Sequence, residues 1–159
     1  MRRRELLALA ASGALTTAAI GGIASPAQAD PLDKYRWERR LVLLFAPLKL
    51  HPHLVVQRGW LKDVSQGLSD RDMTVVEVVN NSVSVDGRPT LEINGEALRR
   101  EFGPSIVEFG ILLIGKDGGV KLRSDEPQTA DRLFEIVDAM PMRRQEMRQR
   151  KQDKTERRS

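Results

Sequence analysis

The sequence predicts an α/β chain: a three-layer α/β/α sandwich around a mixed, four-stranded sheet, in the order β-α-β-α-β-β-α. Three observations carry that expectation. Three apolar runs, residues 41–45, 73–79 and 109–114, are continuous rather than alternating, so their strands are buried on both faces and need helices above and below. The first two are separated by a helix-length segment, which makes them a βαβ unit with a parallel pair and a right-handed crossover. Only five residues, 115–119, separate the third run from Val120, too few for a crossover helix, so the last two strands form a hairpin.

Each element has a local cause. Residues 41–45 (Leu-Val-Leu-Leu-Phe) are closed by Ala46-Pro47. From Pro52 to Leu68, Leu54, Leu61, Val64 and Leu68 fall on one helical stripe, and Pro52 suits a first helical turn because the N–H it lacks would have had no partner there. Residues 73–79 are β-branched and mostly apolar, a second central strand. Residues 80–93 alternate on either side of Asp86-Gly87, which reads as a short surface hairpin or ordered loop. Asn94 caps a helix over 95–102, with Gly103 in the C-cap position and Pro104 preventing continuation. Asp117-Gly118 turns the third buried strand into residues 120–123, whose alternation suits an edge strand with one wet face. Pro127 opens a last helix carrying Ala130, Leu133, Phe134 and Val137 at i, i+3, i+4, i+7, and Pro141 ends or kinks it.

The ends differ from this body. Arg2, Arg3 and Arg4 precede an apolar run to Ile23, and Ala27-Gln28-Ala29 forms a small-residue cleavage site, so residues 1–29 read as a secretory signal peptide cut after Ala29. The arginine pair fits the twin-arginine route as well as the general one. Residues 30–142 form the body, and 143–159 a basic, charged extension, disordered or a frayed helix, in which a Glu146–Arg150 pair would stabilise any helical turn. The chain has 159 residues and a formal net charge of +4. The signal carries a net +2 and the extension +5, leaving −3 on the body. The basic balance therefore belongs to the ends, and with no aromatic residue in the tail for base stacking it does not indicate nucleic-acid binding.

The absence of cysteine excludes disulfides, thiol nucleophiles and cysteine-ligated metal or iron–sulfur centres. No serine–histidine–acid constellation stands in its place, because both histidines lie in His51-Pro52-His53 at the start of the first helix. These two imidazoles are either solvated loop residues or half of a metal site, since two nitrogens alone do not complete a four-ligand sphere. Gly115–Gly119 joins two strands, so it is hairpin chemistry rather than a phosphate cradle.

Three stretches carry a resemblance. Residues 39–47 (RRLVLLFAP), 113–124 (LIGKDGGVKLRS) and 136–147 (IVDAMPMRRQEM) resemble the bacterial family filed as domain of unknown function 4174, over roughly residues 33–148. The element order is similar to that of thioredoxin. The resemblance implies a thioredoxin-like fold and an exported, periplasmic location, with no established activity. Thioredoxin-like enzymes carry cysteines where residues 47–53 stand here, and a cis-proline before the third core strand, where this chain has Val107-Glu108. Thiol oxidoreductase and peroxidase activity are thereby excluded. The expectation is a non-catalytic, cofactor-free interaction module in the cell envelope, binding an envelope protein or an anionic envelope component, with no membrane span after Ala29. The alternative is a metal-binding or redox-related protein using His51 and His53. The partner surface is expected on Lys116, Asp117, Lys121 and Arg123 of the edge hairpin, which can accept a partner strand, and on Met140, Met142, Arg143 and Arg144 after the last helix.

Overall fold

The computed structural model describes residues 30–158, so the expected signal peptide lies outside the described residues. A single helical turn at Asp33–Tyr35 leads into β1 (Arg40–Ala46), α1 (Pro52–Asp63), α2 (Ser65–Asp70), β2 (Met73–Val79), β3 (Ser82–Val85), β4 (Arg88–Thr90), α3 (Gly95–Phe102), β5 (Gly110–Ile114), β6 (Val120–Ser124), α4 (Ala130–Ala139) and α5 (Pro141–Glu156). One mixed sheet runs in the order β4-β3-β2-β1-β5-β6. β1 is parallel to β2, with Leu43 opposite Val76, and antiparallel to β5, with Phe45 opposite Gly110. The other pairings are antiparallel.

The continuous apolar run of β1 is explained by two cores, one on each face of the sheet. Val42, Leu44 and Ala46 pack with Leu54, Leu61, Leu133 and Val137 of α1 and α4. Leu41, Leu43 and Phe45 pack with Val76, Val78 and Leu98 on the α3 side. Strand residues alternate between faces, so a strand covered on both sides has no polar positions left.

Two expectations are corrected. The sheet has six strands, not four, because the hairpin around Asp86-Gly87 joins it as β3 and β4. Asp86 and Gly87 both take positive φ, the two-residue turn that matches strand twist, and Val83 is buried under the sheet among the α3-side residues. Asp86 also closes on β2: its N–H donates to the Val75 carbonyl, and its carboxylate accepts from the Val75 N–H at 2.9 Å. The helix expected over 52–68 is broken at Val64, which leaves the helical region at φ −118°. Gly67 then lies under the Phe134 ring, where a Cβ would sit 2.8 Å away.

α3 forms as the sequence indicates, with the Asn94 side chain accepting from the Ala97 N–H at 2.9 Å. α4 begins at Ala130, three residues after Pro127, capped by Thr129. The intervening Gln128 is held by Gln57 of α1. α4 stops before Met140-Pro141, and Pro141 starts the sixteen-residue α5.

Candidate functional site

The carboxyl ends of the parallel strands β1 and β2 form one end of the sheet, where α/β proteins commonly bind ligands. The chain leaves β1 through Pro47–Leu50 and enters α1 at His51, whose backbone is extended (φ −58°, ψ 129°) and whose carbonyl accepts from the Val55 N–H. Because β5 runs antiparallel beside β1, the loop that precedes it reaches the same end. The contact is made by rings. Phe109 stacks on His51 with centroids 5.9 Å apart and planes within 6°, while His53 stands edge-on to both rings at 5.4 Å. In the two loops that carry these rings, Leu48, Leu50 and Val107 are 67%, 83% and 71% exposed, and Ile106, next to Val107 in sequence, is exposed too.

Arg99 supports this end from the α3 side. Its Nη2 donates to the carbonyls of Asn80, Val78 and Ala46 at 2.9, 3.3 and 3.4 Å, and its guanidinium lies over the Phe45 ring. Burial lowers its pKa from the ordinary value, yet it gathers carbonyl oxygens from the ends of β1 and β2, of which that of Ala46 also accepts from the Asn80 N–H at 2.9 Å. The rim beside it is therefore rigid, and what it carries is apolar. The imidazoles pack ring against ring with Phe109, the His51 Nδ1 being buried without a hydrogen-bond partner, and among the described residues no group of three or more histidine, aspartate or glutamate side chains is placed to hold a metal.

The model of the domain of unknown function DUF4174 matches residues 31–146, nearly the whole described chain. The chain belongs to the DUF4174 family. Among its relatives, the sushi repeat-containing protein SRPX of Rattus norvegicus is 31% identical over 120 residues, covering 73% of this chain and 26% of the relative. Sushi repeat-containing protein SRPX2 of Homo sapiens is 26% identical over 135 residues, covering 77% and 27%. Coiled-coil domain-containing protein 80 of Danio rerio is 29% identical over 133 residues, covering 73% and 15%. The chain thus spans about a quarter or less of the length of these relatives. These matches correct two expectations: the relatives are animal proteins, so neither a bacterial family nor a periplasmic location stands. No helix among the described residues is long and apolar enough to cross a membrane.

Within this DUF4174 domain the eight partner-surface candidates do not share one face. Lys116 points inward, its Nζ 2.9 Å from both Asp72 and Glu146. Asp117 pairs with Lys121 at 2.7 Å, and that bond, with the Gly119 N–H, holds its carboxyl below the usual range. Arg123 donates to the Phe102 carbonyl. Met140 packs on the α1/α4 core and Arg143 is buried, whereas Met142 and Arg144 are exposed.

Arg143 belongs to a network that docks α5. It donates to Asp138 and to the Asp70 carbonyl at 3.1 and 2.8 Å, and Arg71 makes a two-point bond to the same Asp138. Glu146 pairs not with Arg150, as the helix spacing predicts, but with Arg40 and Lys116. Arg150 instead donates to the Asp70 carbonyl. The start of the charged extension is thus tied to β1 and to the turn before β2.

Their spacing at a helix start singled out His51 and His53 in the sequence, which gave Phe109 only as a strand residue and passed over the four exposed aliphatic residues. A signal was present, since Leu48, Leu50, Ile106 and Val107 are apolar yet fall outside every periodic run.

Proposed function

We propose that this DUF4174 domain is a thioredoxin-like, non-catalytic interaction module that binds a segment of a partner protein across the apolar end of its sheet. The observation that carries the reading is the group of exposed aliphatic residues, Leu48, Leu50, Ile106 and Val107, flanking the His51–His53–Phe109 rings. Exposed apolar surface rimmed by polar residues favours a partner over water. The thioredoxin-like reading is supported by the four consecutive strands β2-β1-β5-β6, with α1 and α2 connecting the parallel pair and β5 and β6 antiparallel. Without cysteine the fold retains its binding end and lacks thiol chemistry. Relatives named for sushi repeats and coiled coils, each several times longer than the match, support a module that works beside others.

The test is site-specific photo-crosslinking in cells of the source organism. A probe replacing Leu50 should trap discrete adducts, and a probe replacing Arg132 on the exposed face of α4 should not. Ile106→Ser with Val107→Ser should remove the Leu50 adducts while leaving the circular dichroism unchanged. Equal trapping at both positions, or adducts that survive the serine pair, would overturn the proposal.

A further inference from the structure

We propose that a second site, a groove between the α1–α2 face and the β2–β3–β4 edge, binds an amphipathic carboxylate of the fatty-acid type, acid group on the α1 rim and chain along the floor. The groove encloses about 750 Å³, within the ~300–1,000 Å³ of ligand-sized pockets. It exists because β3 and β4 carry the sheet beyond the helices. Val76 and Val78 are fully buried on the α3 side of β2, but Val75 and Val79, facing α1 and α2, stay half-buried.

Its floor is apolar, from Leu44, Leu61, Leu68, Val75 and Val79, with one exception. Glu77, in the middle of a buried strand, is the sole buried acidic side chain among the described residues. Arg58 of α1 pairs with one carboxylate oxygen, and the Ser84 hydroxyl donates to the other at 3.4 Å. That charge is neutralised in place, so it does not repel an anion and fixes α1 against β2.

The rim supplies the sign. Five lysines lie between residues 30 and 142: Lys34, Lys116 and Lys121 each have a carboxylate partner, and Lys49 and Lys62 have none among the described residues. Both unpaired lysines line this groove. They flank Arg58, which donates to the Lys49 carbonyl at 2.8 Å and precedes Lys62 by one helical turn. Two uncommitted ammonium groups above an apolar floor complement a ligand with one acid group and a hydrocarbon body. An acidic peptide would need donors and acceptors along the floor, where the Ser82 and Ser84 hydroxyls are confined to one wall.

The probe is sodium decanoate, below its micelle concentration, titrated into the isotopically labelled full chain and followed by amide chemical shifts. Saturable shifts are expected at Val75, Glu77, Val79 and Ser84. Lys49→Ala with Lys62→Ala should raise the Kd about tenfold, as loss of two partly exposed charge contacts implies, and decanol should bind the unaltered chain correspondingly more weakly. Ser84→Trp, which fills the groove from its exposed wall, should abolish the shifts with the circular dichroism retained. No saturable shift, a Kd indifferent to the two lysines, or shifts centred on Leu50 and Val107 would overturn the site. Crosslinking at Leu50 is expected to survive Ser84→Trp, so this inference and the proposed partner surface fail separately.

Discussion

Arg40 and Glu146, 106 positions apart in sequence, form a two-point ion pair with Nη–Oε distances of 3.2 and 3.0 Å that fastens α5 to the first strand. Arg40 is 1% exposed, and its Nη1 also donates to the Arg71 carbonyl. The same carboxylate receives Lys116. Glu146→Ala would leave two cations facing each other in a poorly solvated space, and removing one partner of a buried pair costs ~3–5 kcal/mol. The variant should lose stability on that scale in urea titration. Arg40→Met with Glu146→Leu should recover much of it, because the uncompensated charge is then absent. A loss under ~1 kcal/mol in the single variant would mean that solvent enters the pair.

Acid should release α5 before it unfolds the sheet. Burial pushes the Glu146 and Asp138 carboxyls up, but Arg40 and Lys116 around the first, and Arg71 and Arg143 around the second, outweigh it and hold both pKa values below their ordinary range. A carboxyl whose folded pKa is depressed contributes its full stability above the unfolded value and loses it as pH falls through the folded one. Amide exchange over residues 141–150, divided by the intrinsic exchange rate at each pH, should therefore be flat from about pH 8 to pH 5 and quicken below about pH 4, while the same ratio in β1 and β5 stays low. Simultaneous quickening of β1 and α5 would show that α5 is not a separable unit.

What the sequence made legible was local. β2 matches residues 73–79, and α3 matches 95–102 with its Asn94 cap, because period and capping are set by near neighbours. The additional strands β3 and β4 depended on pairing with β2, which a hairpin signal does not encode. The charged extension read as solvated because its composition is polar, yet Arg143 and Glu146 find partners at Asp70, Arg40 and Lys116 that only the tertiary fold brings near. The proposed binding end was half legible for the same reason. The two histidines announce themselves at a helix start, but Phe109 enters through the Phe45–Gly110 register of β1 and β5.

Two glycines make opposite predictions. Gly59 sits inside α1 with nothing within 4 Å of a Cβ built on it, so Gly59→Ala should raise stability by up to ~1 kcal/mol through helix propensity. Gly95 opens α3 against the β2–β3 turn, where a Cβ would lie 2.3 Å from the Asn81 carbonyl oxygen, a backbone atom. Gly95→Ala must displace α3 or the turn, and a loss of ~1–3 kcal/mol is expected, as for overpacking elsewhere. Thermal melts of the two variants should move in opposite directions, and a shared direction would contradict the packing at one of them.

Gln57 offers the sharpest test of how α1 and α4 are joined. Its side chain is fully buried, its Nε2 donating to the Gln128 carbonyl at 2.9 Å and its Oε1 accepting from the Gln128 N–H at 2.7 Å. One amide thus satisfies both backbone groups of the residue before the Thr129 cap. Gln57→Leu keeps the approximate volume but leaves that N–H and carbonyl unpaired, for an expected loss of ~2–3 kcal/mol at every pH. Gln57→Glu behaves differently. An ionised carboxylate accepts from the N–H but faces the carbonyl with a second acceptor, whereas the protonated acid donates to it and restores both bonds. The folded state therefore raises the pKa of the introduced acid, so the missing stability returns as pH falls through that value. Urea midpoints at about pH 7 and pH 5 should separate the variants, the glutamate approaching the parent chain at the lower pH and the leucine not. Equal behaviour of the two would show that the Gln128 backbone finds other partners and that α4 is held by its apolar face alone.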